Sequence, residues 1–167
     1  TGLSWGSDTH YDYATIKYSS LGDTLWFRRY NGPGNTSDVA YALAVDASGN
    51  VYVTGLSRGS GTSSDYATIK YSSLGDTLWV RRYNGPGNGS DEASALAVDD
   101  SGNVYVTGYS DGSGTSYDYA TIKYSTAGVP LWTNWYNGPG NGSDVASAMA
   151  ADGSGDADPD GEEVLPD

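Results

Sequence analysis

The residues with the strongest claim to chemistry stand together near residue 160. In "DADPDGEEVLPD" the carboxylates of Asp156, Asp158 and Asp160 alternate, Glu162 follows Gly161, and Asp167 completes the run. Counted from Asp156, these are the first, third, fifth, seventh and twelfth positions of a loop. With that spacing, a tightly turning backbone aims several hard oxygens at one cation, and Gly at the sixth position permits the turn. Calcium is the cation such a set would take. Three features depart from the pattern: Pro159 lies inside the loop, Glu163 stands where an apolar residue is usual, and Asp167 replaces the bidentate Glu. The plain alternative is a solvated acidic linker.

Other polar motifs are weaker. "NTS" at Asn35 and "NGS" at Asn88 and Asn141 are N-glycosylation acceptors at equivalent places, and equally plain turn sequences. Asp12, Asp65 and Asp118 recur, as do Asp38, Asp91 and Asp144. Such recurrence points to turn caps and blade-edge hydrogen bonds, because a catalytic site is assembled once. Lys17, Lys70 and Lys123 are expected to pack their stems on neighbouring aromatics. His10 is the single histidine, in a Ser/Gly/Asp loop with no Ser partner argued by position, so no catalytic residue is expected. The "GPGN" runs lead into strands rather than helices, which leaves no phosphate loop or dinucleotide fingerprint, and no cofactor other than calcium is expected. Trp5, Tyr11, Tyr41, Tyr109 and Tyr117 differ among otherwise equivalent positions and could stack on sugar rings.

These residues are carried on three copies of one unit. The copies open at Thr1, Thr54 and Thr107, a constant spacing of 53 residues. "DYATIKYS" recurs at Asp12, Asp65 and Asp118, and "YNGPGN" at Tyr30, Tyr83 and Tyr136. The boundaries are 1–53, 54–106 and 107–155, with 156–167 as an acidic tail. Each unit alternates apolar and polar residues through "DYATIKY", turns at "SSLGD" into "TLWFRRY", loops through "NGPGNTSD", and pairs "YALAV" with "VYVTG" across "DASGN". Four short antiparallel strands per unit of this length are the pattern of a propeller blade. Blades crowd at the axis and diverge outward. The small "ALAV" strands are therefore expected innermost, "NVYVTG" second, "DYATIKY" third, and the bulky "LWVRRY" outermost. The expected fold is all-β, made of tandem four-stranded antiparallel blades, about three of them and incomplete.

"ALAVDASGNVYVTG" followed by "DYATIKYSSLGDTLW" resembles the SBBP repeat, a bacterial β-propeller repeat, over nearly the whole of Thr1 to Gly155. The resemblance implies a propeller architecture and an extracellular or cell-surface setting, and it brings no catalytic residues. The acidic tail is similar to EF-hand and thrombospondin type-three calcium repeats.

Composition agrees with this class. The 167 residues include 24 Gly and 15 Tyr but one Phe and one Met, a balance that favours turn-rich β-structure. A formal charge of −13 disfavours nucleic acid and anionic lipid as partners, and no run approaches the roughly 18 apolar residues of a membrane span. There are no cysteines, hence no disulfides and no thiolate chemistry. The start at Thr1, without Met or signal peptide, is read as a processed product or an excised piece of something longer.

The third copy exchanges "SGNVYVTG" for "SGDADPDG". The chain is accordingly expected to open on an outer half-blade, "DYATIKY" and "TLWFRRY" with no inner strands, and to close on an innermost strand alone, Ala146 to Ala151. Three units are too few to close a propeller. The expected function is that of an extracellular structural subunit, not an enzyme, which assembles with copies of itself into a ring or fibre by strand complementation. The alternative is a carbohydrate- or protein-binding propeller module, or a piece of a longer propeller.

Overall fold

The computed structural model of the chain describes residues 1–152 and 157–158. Among the described residues there is no helix, and so none long and apolar enough to cross a membrane. The strands form three antiparallel sheets and a short hairpin. The first sheet is β1 (Gly2–Trp5), β2 (Tyr11–Tyr18) and β3 (Thr24–Tyr30), in that order. The second is β4 (Asp38–Val45), β5 (Val51–Arg58), β6 (Ser64–Tyr71) and β7 (Thr77–Tyr83). The third repeats it with β8 (Glu92–Val98), β9 (Val104–Asp111), β10 (Tyr117–Tyr124) and β11 (Pro130–Tyr136). The hairpin pairs β12 (Ala150–Ala151) with β13 (Ala157–Asp158).

Chain order is spatial order in every sheet, as expected of propeller blades, and no sheet closes on itself. The strands of smallest side chains approach the neighbouring sheets: β4 packs on β8, and β1 and β2 pack against β4. Tight turns set the hairpins. Gly22 and Gly75 both take φ of 89° between third and fourth strands, and Gly49 and Gly102 take 78° between first and second, a region open to glycine without steric cost.

Two expectations about the ends are corrected. The first sheet is not a bare outer pair, because "GLSW" forms β1 and pairs with β2 from Gly2↔Ala14 to Trp5↔Tyr11. These residues are the second half of a second strand; only the innermost strand and the start of the second are missing. At the other end the innermost strand expected over Ala146 to Ala151 is confined to Ala150–Ala151, and it does not stand alone, since β13 pairs with it. Ala150↔Asp158 and Ala151↔Ala157 reproduce, 53 residues on, the pairs Ala97↔Tyr105 and Val98↔Val104. The ladder starts without the large apolar residues of the other blades because its hydrogen bonds are made by main-chain groups, which Ala and Asp supply as Val and Tyr do.

The apolar cores lie between sheets. Tyr13 and Trp26 of the first sheet meet Val51, Val53, Ile69 and Tyr71 of the second. Tyr66 and Trp79 of the second meet Leu96, Val106, Ile122 and Tyr124 of the third in the same way.

The first-to-second-strand turns carry a carboxylate whose charge matters to stability. In the third sheet Asp99 accepts hydrogen bonds from the Asn103 backbone N–H (2.8 Å), the Asn103 amide (2.7 Å) and the Tyr105 hydroxyl (3.2 Å). Burial alone would raise its pKa, but these bonds and the Lys123 charge prevail and hold it below the usual carboxylate value. With the folded pKa below the unfolded one, the unfolded chain binds more protons in the window between them. The stabilisation is therefore present above the unfolded value and lost as pH falls through the folded one. Urea titration of Asp99→Asn at pH 7 should show a loss of about 1–2 kcal/mol, and the difference from wild type should shrink toward zero near pH 2.

Candidate functional site

The contact between successive blades is written twice inside the chain. The Tyr13 hydroxyl on β2 donates to the Ala67 carbonyl on β6 at 3.1 Å, and the Tyr66 hydroxyl donates to Ala120 at 3.1 Å. Trp26 Nε1 donates to the Ser73 carbonyl and Trp79 Nε1 to that of Thr126, both at 3.2 Å. Lys17 Nζ reaches the Ser73 carbonyl at 2.9 Å, and Lys70 Nζ reaches that of Thr126 at 3.1 Å. Arg28 and Arg81 donate through Nε to the carbonyls of Gly75 and Gly128. Those glycines are bare for a reason: a Cβ on Gly75 would lie 2.9 Å from the Trp26 ring, and one on Gly128 would lie 2.8 Å from that of Trp79. Each indole thus seats on the next blade's turn.

Both halves of this contact recur on the outer sheets without a mate. On the first sheet, Ile16 is 40% exposed and Tyr18 57%, whereas the equivalent Ile69 and Ile122 are at 0% and 1%, and Tyr71 and Tyr124 at 2% and 3%. Gly22, which matches Gly75 and Gly128, has nothing within 4 Å of its would-be Cβ. On the third sheet, Trp132 is 37% exposed where Trp26 and Trp79 are each at 8%, and Tyr136 is exposed beside it. One outer face carries the acceptors and the apolar bed; the other carries the tyrosine and indole donors.

An apolar groove adjoins the first face. It has a volume of about 280 Å³ and is lined by Ile16, Lys17 and Tyr18 of β2 and by Leu43 and Val45 of β4. β1 stops pairing at Ala14, whereas the equivalent β5–β6 ladder runs on through Ile69 and Lys70 to Tyr71. The groove lies where the second sheet carries the inner end of β5 paired with β6.

The recurrent aspartates are structural, as expected. Asp38, Asp91 and Asp144 accept the backbone N–H of Gly32, Gly85 and Gly138 at 2.7, 2.9 and 2.8 Å, capping the Gly-Pro-Gly loops. Burial pushes the Asp38 and Asp91 carboxyls up against these bonds. Asp12 and Asp65 pair with Arg29 (2.7 Å) and Arg82 (2.6 Å). The expected packing of lysines on aromatics is found at Lys70 over Tyr52 (4.9 Å) and Lys123 over Tyr105 (4.6 Å).

The third blade breaks the ion-pair pattern, and the signal for it in the sequence is the departure of "LWTNWY" from "LWVRRY". Trp135 stands where the others have Arg29 and Arg82. Its Nε1 donates to the Tyr83 hydroxyl at 2.7 Å, reproducing the Arg82–Tyr30 bond to the preceding blade. Asp118 keeps a bond from Thr115 (2.7 Å) to its Oδ2 but has no arginine beside it; its Oδ1, like those of Asp12 and Asp65, is buried without a hydrogen-bond partner. Trp135→Arg should restore the ion pair and stabilise the chain by about 1 kcal/mol, read as a rise of a few degrees in Tm by calorimetry.

Asn35, Asn88 and Asn141 are exposed and sit in tight turns with φ of 50°, 55° and 49°, a conformation Asn tolerates. Each side-chain carbonyl accepts the amide of an Asn four residues before it, at 2.6–2.8 Å. The metal-ligand candidates Asp156, Asp160, Glu162 and Asp167 lie outside the described residues; Asp158 is described only as part of β13. Among the described residues no three His, Cys, Asp or Glu side chains gather as a metal site.

The variable aromatics separate into two groups. Trp5 packs edge-on against Tyr11 (5.0 Å) and His10 (5.5 Å) on the first sheet. Tyr109 stacks obliquely on Tyr117 at 4.6 Å and shares a groove with Tyr41, Glu92 and Val145. Glu92 lies opposite Tyr109 in the β8–β9 ladder and was not singled out in the sequence, because its equivalent in the first repeat is Val39.

The fold and the repeated contact define a chain of β-propeller blades, two complete and two partial. The family model described as "Beta-propeller repeat", SBBP, matches twice, at residues 25–61 and 78–114, each match running across a boundary between units. The regulatory protein FlaEY of Caulobacter vibrioides is 33% identical over 113 residues, which is 59% of this chain. The chain spans 11% of that protein's length.

Proposed function

We propose that this chain is a structural subunit that associates with copies of itself, the donor face of one chain's third sheet seating on the acceptor face of another's first sheet. The observation that carries this reading is the exposure of Ile16, Tyr18, Gly22 and Trp132, each the counterpart of residues packed between blades elsewhere in the chain. The contact is heterologous, since two different patches meet. Its setting is extracellular or at a cell surface, in keeping with a composition low in Lys, rich in Gly, Ser, Thr, Asn and Tyr, and acidic overall. The reading assigns the chain no reaction. Sedimentation velocity over a hundredfold concentration range should show a shift from monomer to larger species; a sharp monomer boundary throughout would reject it.

A second reading, a carbohydrate-binding module, is favoured by the groove of Tyr41, Glu92, Tyr109 and Val145, where ring faces and a carboxylate adjoin. A glycan array should then give hits that Tyr109→Ala abolishes.

A further inference from the structure

Departures from the repeat gather at one place. Tyr41 stands where the next repeat has Ser94, Glu92 where the first has Val39 and the third Val145, and Tyr109 where the others have Leu56 and Leu3. Sheet pairing does not ask for these changes, since Val39↔Leu56 and Glu92↔Tyr109 are the same pair in the same register. Yet Tyr41, Glu92 and Tyr109, one from each repeat, line a single groove of about 270 Å³. Tyr41 is also the bulged residue of β4, left out between Ala40↔Gly55 and Ala42↔Thr54, and it is half exposed. A bulge re-aims its side chain out of the strand's alternation.

The groove holds a negative charge without an opposite one. Neither ion pair among the described residues includes Glu92. Burial, together with the adjacent Glu92 carboxylate, holds the Tyr41 and Tyr109 phenols above their ordinary pKa. Tyr109 is backed by Tyr117 at 4.6 Å, so its ring is held in place. The negative faces of tyrosine rings attract both cations and polarised C–H groups. A chain charge of −13 adds to the pull on a cation. The volume lies just under the roughly 300–1,000 Å³ of sites for drug-sized ligands, which suits one small ring.

We infer that the groove takes an amino sugar, its ammonium on the Glu92 carboxylate and a C–H face of its pyranose ring on the tyrosine rings. The inference rests on the carbohydrate-binding reading above and names the class of sugar. Hydroxyl donors satisfy the lone pairs of a carboxylate but not its charge; an ammonium does both.

Glucosamine, N-acetylglucosamine and glucose share one ring and differ in charge, so each is titrated into the wild-type chain and followed by amide NMR. At about pH 6 the amine is protonated. Glucosamine should bind at least about tenfold more tightly than the other two, with shifts at Tyr41, Glu92 and Tyr109. Added salt should weaken glucosamine and leave glucose unchanged, an answer that needs no variant. Glu92→Gln should bring glucosamine down to the level of the neutral sugars without altering theirs, and the same spectra report that the variant is folded.

Equal binding of the three sugars overturns the amino-sugar class while the carbohydrate reading stands. Cyclohexylamine bound as tightly as glucosamine also overturns it, because the groove would then read the ammonium alone. A preference that survives Glu92→Gln, or shifts confined to other residues, overturns the site. Binding of none of the sugars overturns both the class and the carbohydrate reading.

Discussion

A chain carrying Ile16→Asp folds as the wild type does and no longer self-associates. Ile16 is half open to solvent on the outer face of β2, so a carboxylate there stays hydrated in the single chain and costs within about 0.5 kcal/mol. On association the same position becomes the counterpart of Ile69 and Ile122, which are sealed between sheets. Burying an unpaired carboxylate there costs at least about 3 kcal/mol, a weakening of more than a hundredfold. Sedimentation equilibrium should find a monomer where the wild type associates, with an unchanged far-ultraviolet spectrum and Tm at low concentration. The matched variant Ile69→Asp places the charge inside the existing core and should unfold the chain. Equal behaviour of the two variants would remove the distinction between an open face and a packed one.

The second large effect is at the glycines of the second strands. β4 and β8 each carry a bulge, since Ala40 pairs with Gly55 and Ala42 with Thr54, and Ala93 pairs with Gly108 and Ala95 with Thr107. The bulge brings the inner strand's backbone onto the glycine. A Cβ on Gly55 would strike the Val39 carbonyl oxygen and lie 2.9 Å from Ala40 Cα; on Gly108 it would strike the Glu92 carbonyl and lie 2.8 Å from Ala93 Cα. Backbone cannot swing aside as a side chain does. Gly55→Ala and Gly108→Ala should each cost about 3 kcal/mol or more, a fall in Tm of roughly 6–12 °C. Gly2 is the same position in the first repeat and has nothing within 4 Å. Gly2→Ala should leave the Tm of the chain unchanged, which separates the close backbone approach from any general cost of alanine at this position.

The legible part of this molecule was its local part. The alternation in "DYATIKY" and the glycine turns of "SSLGD" and "DASGN" place strands and hairpins through interactions a few residues long. The size gradient from "ALAV" to "LWVRRY" yields the order within each sheet. Recurrence also marked Asp38, Asp91 and Asp144 as caps, because a loop built the same way three times needs its N–H groups satisfied three times. The ends were misread for a related reason. β1 and β13 are half strands whose pairing depends on the neighbouring strand, and a short segment such as "GLSW" or "AD" has no period of its own to announce it.

The candidate site was legible only as a phase argument. An incomplete blade at each end implied unmatched surfaces, but not which atoms they present. That tyrosine hydroxyls seek the alanine carbonyls of the next blade, or that an indole lies on the turn of Gly75, follows from how twisted sheets stack, and stacked residues are some 50 positions apart. Trp135 shows the limit from the other side. Its departure from Arg29 and Arg82 is visible in the letters, yet only the packed blade shows that the indole keeps the bond to Tyr83 while leaving Asp118 without its arginine.

The sequence by itself determined an all-β chain of tandem blades, the order of strands in each, and the turns that join them, because those depend on neighbours along the chain and on a repeat long enough to be unmistakable. Only the tertiary structure decided which faces are sealed and which stand open, where the half strands pair, and how one blade bonds to the next. Burial and hydrogen bonding between sheets are properties of residues brought together from separate repeats, and no single repeat contains both halves of the contact.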